Sequence, residues 1–106
     1  MAKDWIEDVK KYAPKADDAV LESMLKTYRL TLSNADAAYV SFSDEEELKT
    51  VRENFLKKKL GLTESDEKLD EAIKAVGEKM KDGSKNGRLA VYYLLAEKFG
   101  KLGVFK

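Results

Sequence analysis

Asp82, Ser84 and Asn86 stand at alternating positions ahead of Gly87, the opening of a calcium-binding loop. Such a loop closes with a bidentate glutamate at its twelfth position, and here that position is Tyr93. A single carboxylate would face the ion, so the segment predicts a glycine-rich turn and no metal site. Histidine and cysteine are both absent, which removes the usual nucleophilic triads, thiolate and imidazole metal sites, and most acid–base pairs working near neutral pH. Carboxylates remain, at Asp66 and Asp70 and at Glu67 and Glu71, each pair four residues apart. They lack the inward apolar setting and the histidines of a helical carboxylate metal centre, and read as a solvated face. No catalytic residue, cofactor or metal ligand is assigned.

Lys57, Lys58 and Lys59 form the one compact basic run, with Arg52 a turn or so earlier and Arg88 a further candidate for phosphate contact. Three lysines at a helix end also suit the helix dipole, and consecutive positions fan too widely around a helix to meet one ligand. Twenty basic groups balance twenty acidic ones, giving no overall field toward nucleic acid. Residues 1–53 hold 8 basic and 12 acidic groups, and residues 54–106 hold 12 and 8. Gly83 and Gly87 lack phosphate-loop spacing. A helix-turn-helix over 64–99 would present Leu89, Val91, Leu94 and Leu95 where base-reading side chains belong.

The elements that must carry these groups are helical. Trp5, Val9 and Tyr12, with Ile6 and Ala13, predict a helix over 3–13 that Pro14 ends. Asp17 caps a second helix to about Leu30, striped by Val20, Leu21, Met24, Leu25 and Tyr28, with Glu22 and Lys26 as an exposed ion pair. Residues 31–43 are irregular; Tyr39–Phe42 alternates like a strand but has no evident partner, so it is expected as an extended connection with Tyr39 and Phe42 against the core. Ser43 with Glu46, and Thr63 with Asp66, are capping-box patterns opening a third helix to about Lys59 and a fourth with Leu69, Ala72, Ile73, Val76 and Met80 inward. Gly61 stops the third helix. Gly77, unfavourable inside a helix by about 1 kcal/mol, marks a close helix crossing. The last helix, ending near Gly100, is apolar on nearly every side and is expected at the centre of the core.

At this length the chain is one domain, 1–106. Met1, Lys3, Asp4 and Trp5 do not open a signal peptide, and no apolar run approaches the roughly 20 residues of a membrane span. The cytoplasm is the default location, and lack of cysteine fits it.

Taken together, DVKKYAPKAD at 8–17, NFLKKKLGL at 54–62 and YYLLAEKFGKLGVFK at 92–106 resemble the small bacterial family known as domain of unknown function 2853. Arg52–Phe55 and Glu78–Met80 are similar to it as well, while Leu32–Phe42 looks different. The resemblance implies a small helical fold and no particular activity.

The expected fold is therefore all-α: one compact domain of about five short helices, with an irregular segment between the second and third. The leading expectation for function is a non-enzymatic protein acting by contact with itself or another protein, through Trp5, Leu102, Val104 and Phe105. The alternatives are a weak nucleic-acid binder using Arg52, Lys57, Lys58, Lys59 and Arg88, and a cofactor-free or divalent-metal enzyme. Leu102, Val104 and Phe105 are expected to turn back at Gly100 over Trp5 and Val9, or to cross into a second subunit.

Overall fold

Residues Arg88–Ala96 are buried without a break, because the helix that carries them, α6 (Arg88–Lys98), runs through the middle of the molecule. In a computed structural model of the chain, residues 5–34, 38–40, 42, 44–80 and 86–105 are described. Around α6 lie α1 (Trp5–Tyr12), α2 (Asp18–Thr27), α3 (Arg29–Ser33), α4 (Glu45–Thr50), a π-helical segment (Val51–Lys59), α5 (Asp66–Lys79) and a C-terminal 3-10 turn (Leu102–Phe105). α6 packs against α1, α2, α5, the π segment and the C-terminal turn. This is the all-α domain expected, with helices surrounding an apolar one.

The irregular segment is shorter than expected and better tied. Helical structure continues past Leu30 to Ser33, interrupted only at Tyr28. Beyond it, β1 (Tyr39–Val40) pairs antiparallel with β2 (Asn86–Gly87), Tyr39 opposite Gly87. A partner of only two residues, Asn86–Gly87, leaves no alternation to read, which is why Tyr39–Phe42 has no evident partner in the sequence. Gly87 is needed here for room: a Cβ at that position would meet Trp5 Cζ3 at 3.2 Å and collide with the Asp8 carboxylate.

The caps follow the expected chemistry with shifted registers. The Asp17 side chain accepts a hydrogen bond from the Ala19 N–H at 2.9 Å, as expected. The third helix is capped by Asp44, which accepts from the N–H groups of Glu46 and Glu47; Ser43 lies outside the described residues. α5 is capped by Ser65, accepting from Lys68 N–H at 3.3 Å, and not by Thr63, because the helix begins two residues later than the capping-box pattern requires. Gly61 and Gly100 end their helices at φ +68° and +66°, where other residues are strained. At Gly100 the Lys101 N–H returns to the Ala96 carbonyl and the Gly100 N–H to Glu97, the paired bonds of a Schellman turn.

Residues 51–59 depart from α geometry for a reason visible in their apolar positions. Val51, Phe55, Leu56 and Leu60 are all buried. At about 100° per residue they would spread over half the helix circumference. At the wider pitch of i→i+5 bonding, about 82° per residue, they gather within about a quarter turn. The Leu60 N–H accordingly donates to the Phe55 carbonyl, five residues back, at 2.9 Å.

Gly77 does mark a close approach, but the neighbour is the Phe42 ring and not another helix. A Cβ at 77 would lie 2.8 Å from Phe42 Cδ1. Gly77→Ala is therefore expected to bring no gain in the wild-type chain. In a Phe42→Ala background it should raise stability by about 1 kcal/mol, the ordinary helix-propensity difference. Urea unfolding of the four proteins measures both; a full gain in the wild type would contradict the contact.

Candidate functional site

Three features of the surface and the half-buried interior could serve a ligand or partner. The first is a groove of about 740 Å³ lined by Trp5, Glu22, Leu25, Lys26, Arg29, Leu32 and Ser33. α1 supplies one wall with the half-buried indole of Trp5, which meets Tyr39 edge-on at 5.5 Å and is backed by Gly87. α2 and α3 supply the rest. Their lining positions lie three or four residues apart, so one face of the nearly continuous α2–α3 helix looks into the groove. Leu25 and Leu32 make its floor, and Glu22, Lys26, Arg29 and Ser33 its exposed rim. The expected Glu22–Lys26 ion pair does not form: among the described residues Glu22, Lys26 and Arg29 make no ion pair or side-chain hydrogen bond. Next to this face Leu30 stands 86% exposed.

The second feature is a charged hollow of about 830 Å³ between α4, the π segment and α5, walled by Glu45, Glu46, Lys49, Arg52, Glu67, Asp70, Glu71 and Lys74 over Leu48 and Ile73. Arg52 is committed here: Nε donates to Glu53 at 2.8 Å and Nη1 to both Asp70 oxygens at 3.0 and 3.1 Å. Lys57 bridges Asp66 at 2.6 Å and Glu53 at 3.0 Å. Hydrogen bonds from Arg52 and then Lys57 hold the Glu53 carboxyl below its ordinary range, and Lys57 does the same for Asp66. The cluster joins the π segment to the start of α5. Among the described residues no group of three or more acidic side chains is arranged to hold a metal ion, and Asp82 and Ser84 of the loop pattern lie outside those residues.

The third feature is internal. Arg88, 7% exposed, donates from Nη1 to the Tyr92 hydroxyl at 2.7 Å and from Nη2 to Glu47. Tyr92 stacks on Phe55 at 3.9 Å, Tyr28 meets Tyr92 edge-on at 5.1 Å, and Phe105 completes the cluster. Burial raises the Tyr92 hydroxyl above the ordinary phenol range although Arg88 opposes it. Tyr28 is raised too, by burial and then by Tyr92. Near pH 10 unfolded tyrosines lose their protons while these two keep theirs, so the unfolded state binds fewer protons and stability falls as pH rises. The tyrosinate absorbance of Tyr28 and Tyr92, isolated by phenylalanine replacement of each, should grow in only as the helical circular dichroism collapses. Ionisation near pH 10 with the fold intact would refute this.

The amino-acid sequence is matched over residues 4–103 by the model of a family described as "Protein of unknown function (DUF2853)". The chain belongs to the DUF2853 family. No curated protein matches it. Membership extends over nearly the whole helical domain, so the groove and, apart from Phe105, the buried Arg88 cluster of this DUF2853 chain lie within the matched span.

The residues singled out from sequence are scattered over the molecule. Trp5 lines the groove. Phe105 is 4% exposed and packs on Tyr28 and Phe55, not on Trp5 and Val9. Leu102 is half-buried with it, while Val104 is 42% exposed. Of the phosphate candidates, Arg88 is interior, Arg52 and Lys57 hold carboxylates, Lys59 Nζ sits 5.2 Å over the Phe105 ring, and Lys58 is exposed. Leu25, Lys26, Arg29 and Leu32 were missed as groove residues. Their signal was a second apolar pair, Leu25 and Leu32, seven residues apart and offset from the Leu21–Met24 face that enters the core.

Proposed function

We propose that the protein is a non-enzymatic cytoplasmic binding module that acts by docking another polypeptide in the Trp5–Leu25–Leu32 groove. The observation that carries this reading is an open apolar floor ringed by Glu22, Lys26 and Arg29, none of them engaged elsewhere among the described residues. An apolar centre with a polar, wet rim is the anatomy of a protein contact. Leu30, exposed beside it, adds apolar area that nothing within the described chain covers. Absence of cysteine fits a reducing compartment, and no described helix is long and apolar enough to cross a membrane. Phosphate binding through Arg52, Lys57, Lys58, Lys59 and Arg88 has weaker support, because three of those five cations already hold carboxylates.

Trp5 is the chain's single tryptophan, so its emission reports on the groove alone. At low micromolar protein, anilinonaphthalene sulfonate, an apolar anion, should bind and quench Trp5 by energy transfer. Leu25→Ser should weaken that binding, and so should Arg29→Ala, an exposed change that leaves the core untouched. No quenching, or quenching indifferent to both replacements, would overturn the reading.

A further inference from the structure

The groove-lining residues of α2 and α3 are 22, 25, 26, 29, 32 and 33. That is the spacing of a helix–helix seam, three and four residues alternating over about 18 Å of helix at 1.5 Å per residue. A partner fitting it is itself a helix lying lengthwise, with Trp5 as a side wall. The charges along the seam are ordered: Glu22 at one end, then Lys26, then Arg29. Glu22 and Lys26, one turn apart, do not satisfy each other, and among the described residues Arg29 has no carboxylate either.

Resting on the groove reading, we infer that the helix occupying this seam is the same seam of a second copy of the chain, docked antiparallel about a two-fold axis near Leu25. Antiparallel packing sets Glu22 of each copy between Lys26 and Arg29 of the other, and the symmetry makes that match twice. Parallel packing would set anion on anion and cation on cation at every position, whereas the antiparallel register leaves only the two Lys26 side chains, one residue from the axis, near each other. The same antiparallel register brings the two Leu25 side chains together beside the axis, where the floor is apolar, and the exposed Leu30 of each copy flanks the join. A single pair of short helices buries less than the roughly 800 Å² per partner of a standard stable interface, so the dimer is weak and concentration-dependent, with a Kd of roughly tens to hundreds of micromolar.

Charge reversal tests both the occupant and its direction. Sedimentation velocity and diffusion measured by nuclear magnetic resonance, up to about 1 mM protein, should show a monomer–dimer equilibrium that added salt weakens. Glu22→Lys makes the seam wholly cationic, and Lys26→Glu with Arg29→Glu makes it wholly anionic. Each should weaken the dimer about tenfold or more. Combining all three replacements inverts the seam and should restore the wild-type Kd. These positions are exposed, and circular dichroism confirms that the variants fold. A triple variant as dissociated as its parents would overturn the antiparallel assignment. A wild type that stays monomeric throughout would overturn the second copy as occupant. If dye still binds at Leu25 in that monomer, the groove reading survives; if dye binding also fails, both fall.

Discussion

Phe105→Ala should lower the unfolding free energy by about 3–5 kcal/mol, the range for removing a buried phenylalanine ring. The apolar run of Leu102, Val104 and Phe105 predicts a segment that turns back at Gly100 as part of the core, and the ring is buried accordingly. The ring is 4% exposed, tilts against Tyr28 at 6.4 Å, stacks near Phe55 at 6.3 Å, and lies under Lys59. The Schellman turn at Gly100 aims it there, so the backbone does not have to search for the site. Deleting Leu102–Lys106 should be at least as severe, since the half-buried Leu102 goes as well. Val104→Ala, at an exposed position, should change stability by less than about 0.5 kcal/mol and serves as the control. Urea denaturation monitored by circular dichroism gives all three; an unchanged midpoint for Phe105→Ala would mean that the ring is only loosely docked.

Arg88→Met should be comparably damaging, at about 3 kcal/mol, because removing one member of a buried charged pair strands the other. Methionine keeps the apolar stem but offers nothing to the Tyr92 hydroxyl or to the Glu47 carboxylate. Arg88→Lys should fall between wild type and Arg88→Met, since one ammonium cannot reach both acceptors with the fixed fork of a guanidinium. Glu47→Gln should be milder still, at about 1 kcal/mol: its side chain is 25% exposed and the amide oxygen can still accept. The ordering matters more than any single value. Equal effects for Arg88→Met and Arg88→Lys would mean that packing, and not the paired hydrogen bonds, holds this end of α6.

Much of the fold was legible because its elements carry their own boundaries. Asp17, Pro14, Gly61 and Gly100 act locally, and a residue's capping or breaking chemistry does not depend on what lies across the core. The apolar circumference of Arg88–Ala96 likewise has one solution in a chain of this size. What escaped was set by distant partners. Nothing between Val51 and Lys59 announces a π pitch until Leu60 is known to be buried together with Val51. The β1–β2 ladder is two residues deep and depends on Gly87 admitting Trp5. Phe42 reaches Gly77 across thirty-five positions of sequence. The groove was hidden for a related reason. Leu25 and Leu32 count as ordinary core leucines until α3 is seen to continue α2, and Lys26 looks paired until its geometry leaves Glu22 unmet. Arg88 misled in the opposite sense, since a cation among tyrosines reads equally as a ligand contact or as the buried hinge of a helix.

The central position of α6 bears on how the chain comes to fold at all. α1, α2, α5 and the π segment each rest their apolar faces on residues that the ribosome adds only after all of them have been made. Until Arg88–Lys98 exists, the earlier helices have a capped, amphipathic sequence and nothing to close against. Isolated helices this short are marginal in water. Folding should therefore be deferred and then abrupt, with nascent chains shorter than about residue 98 presenting apolar faces to chaperones, proteases or one another. A premature stop anywhere upstream would yield no smaller folded fragment, only a chain waiting for its axle.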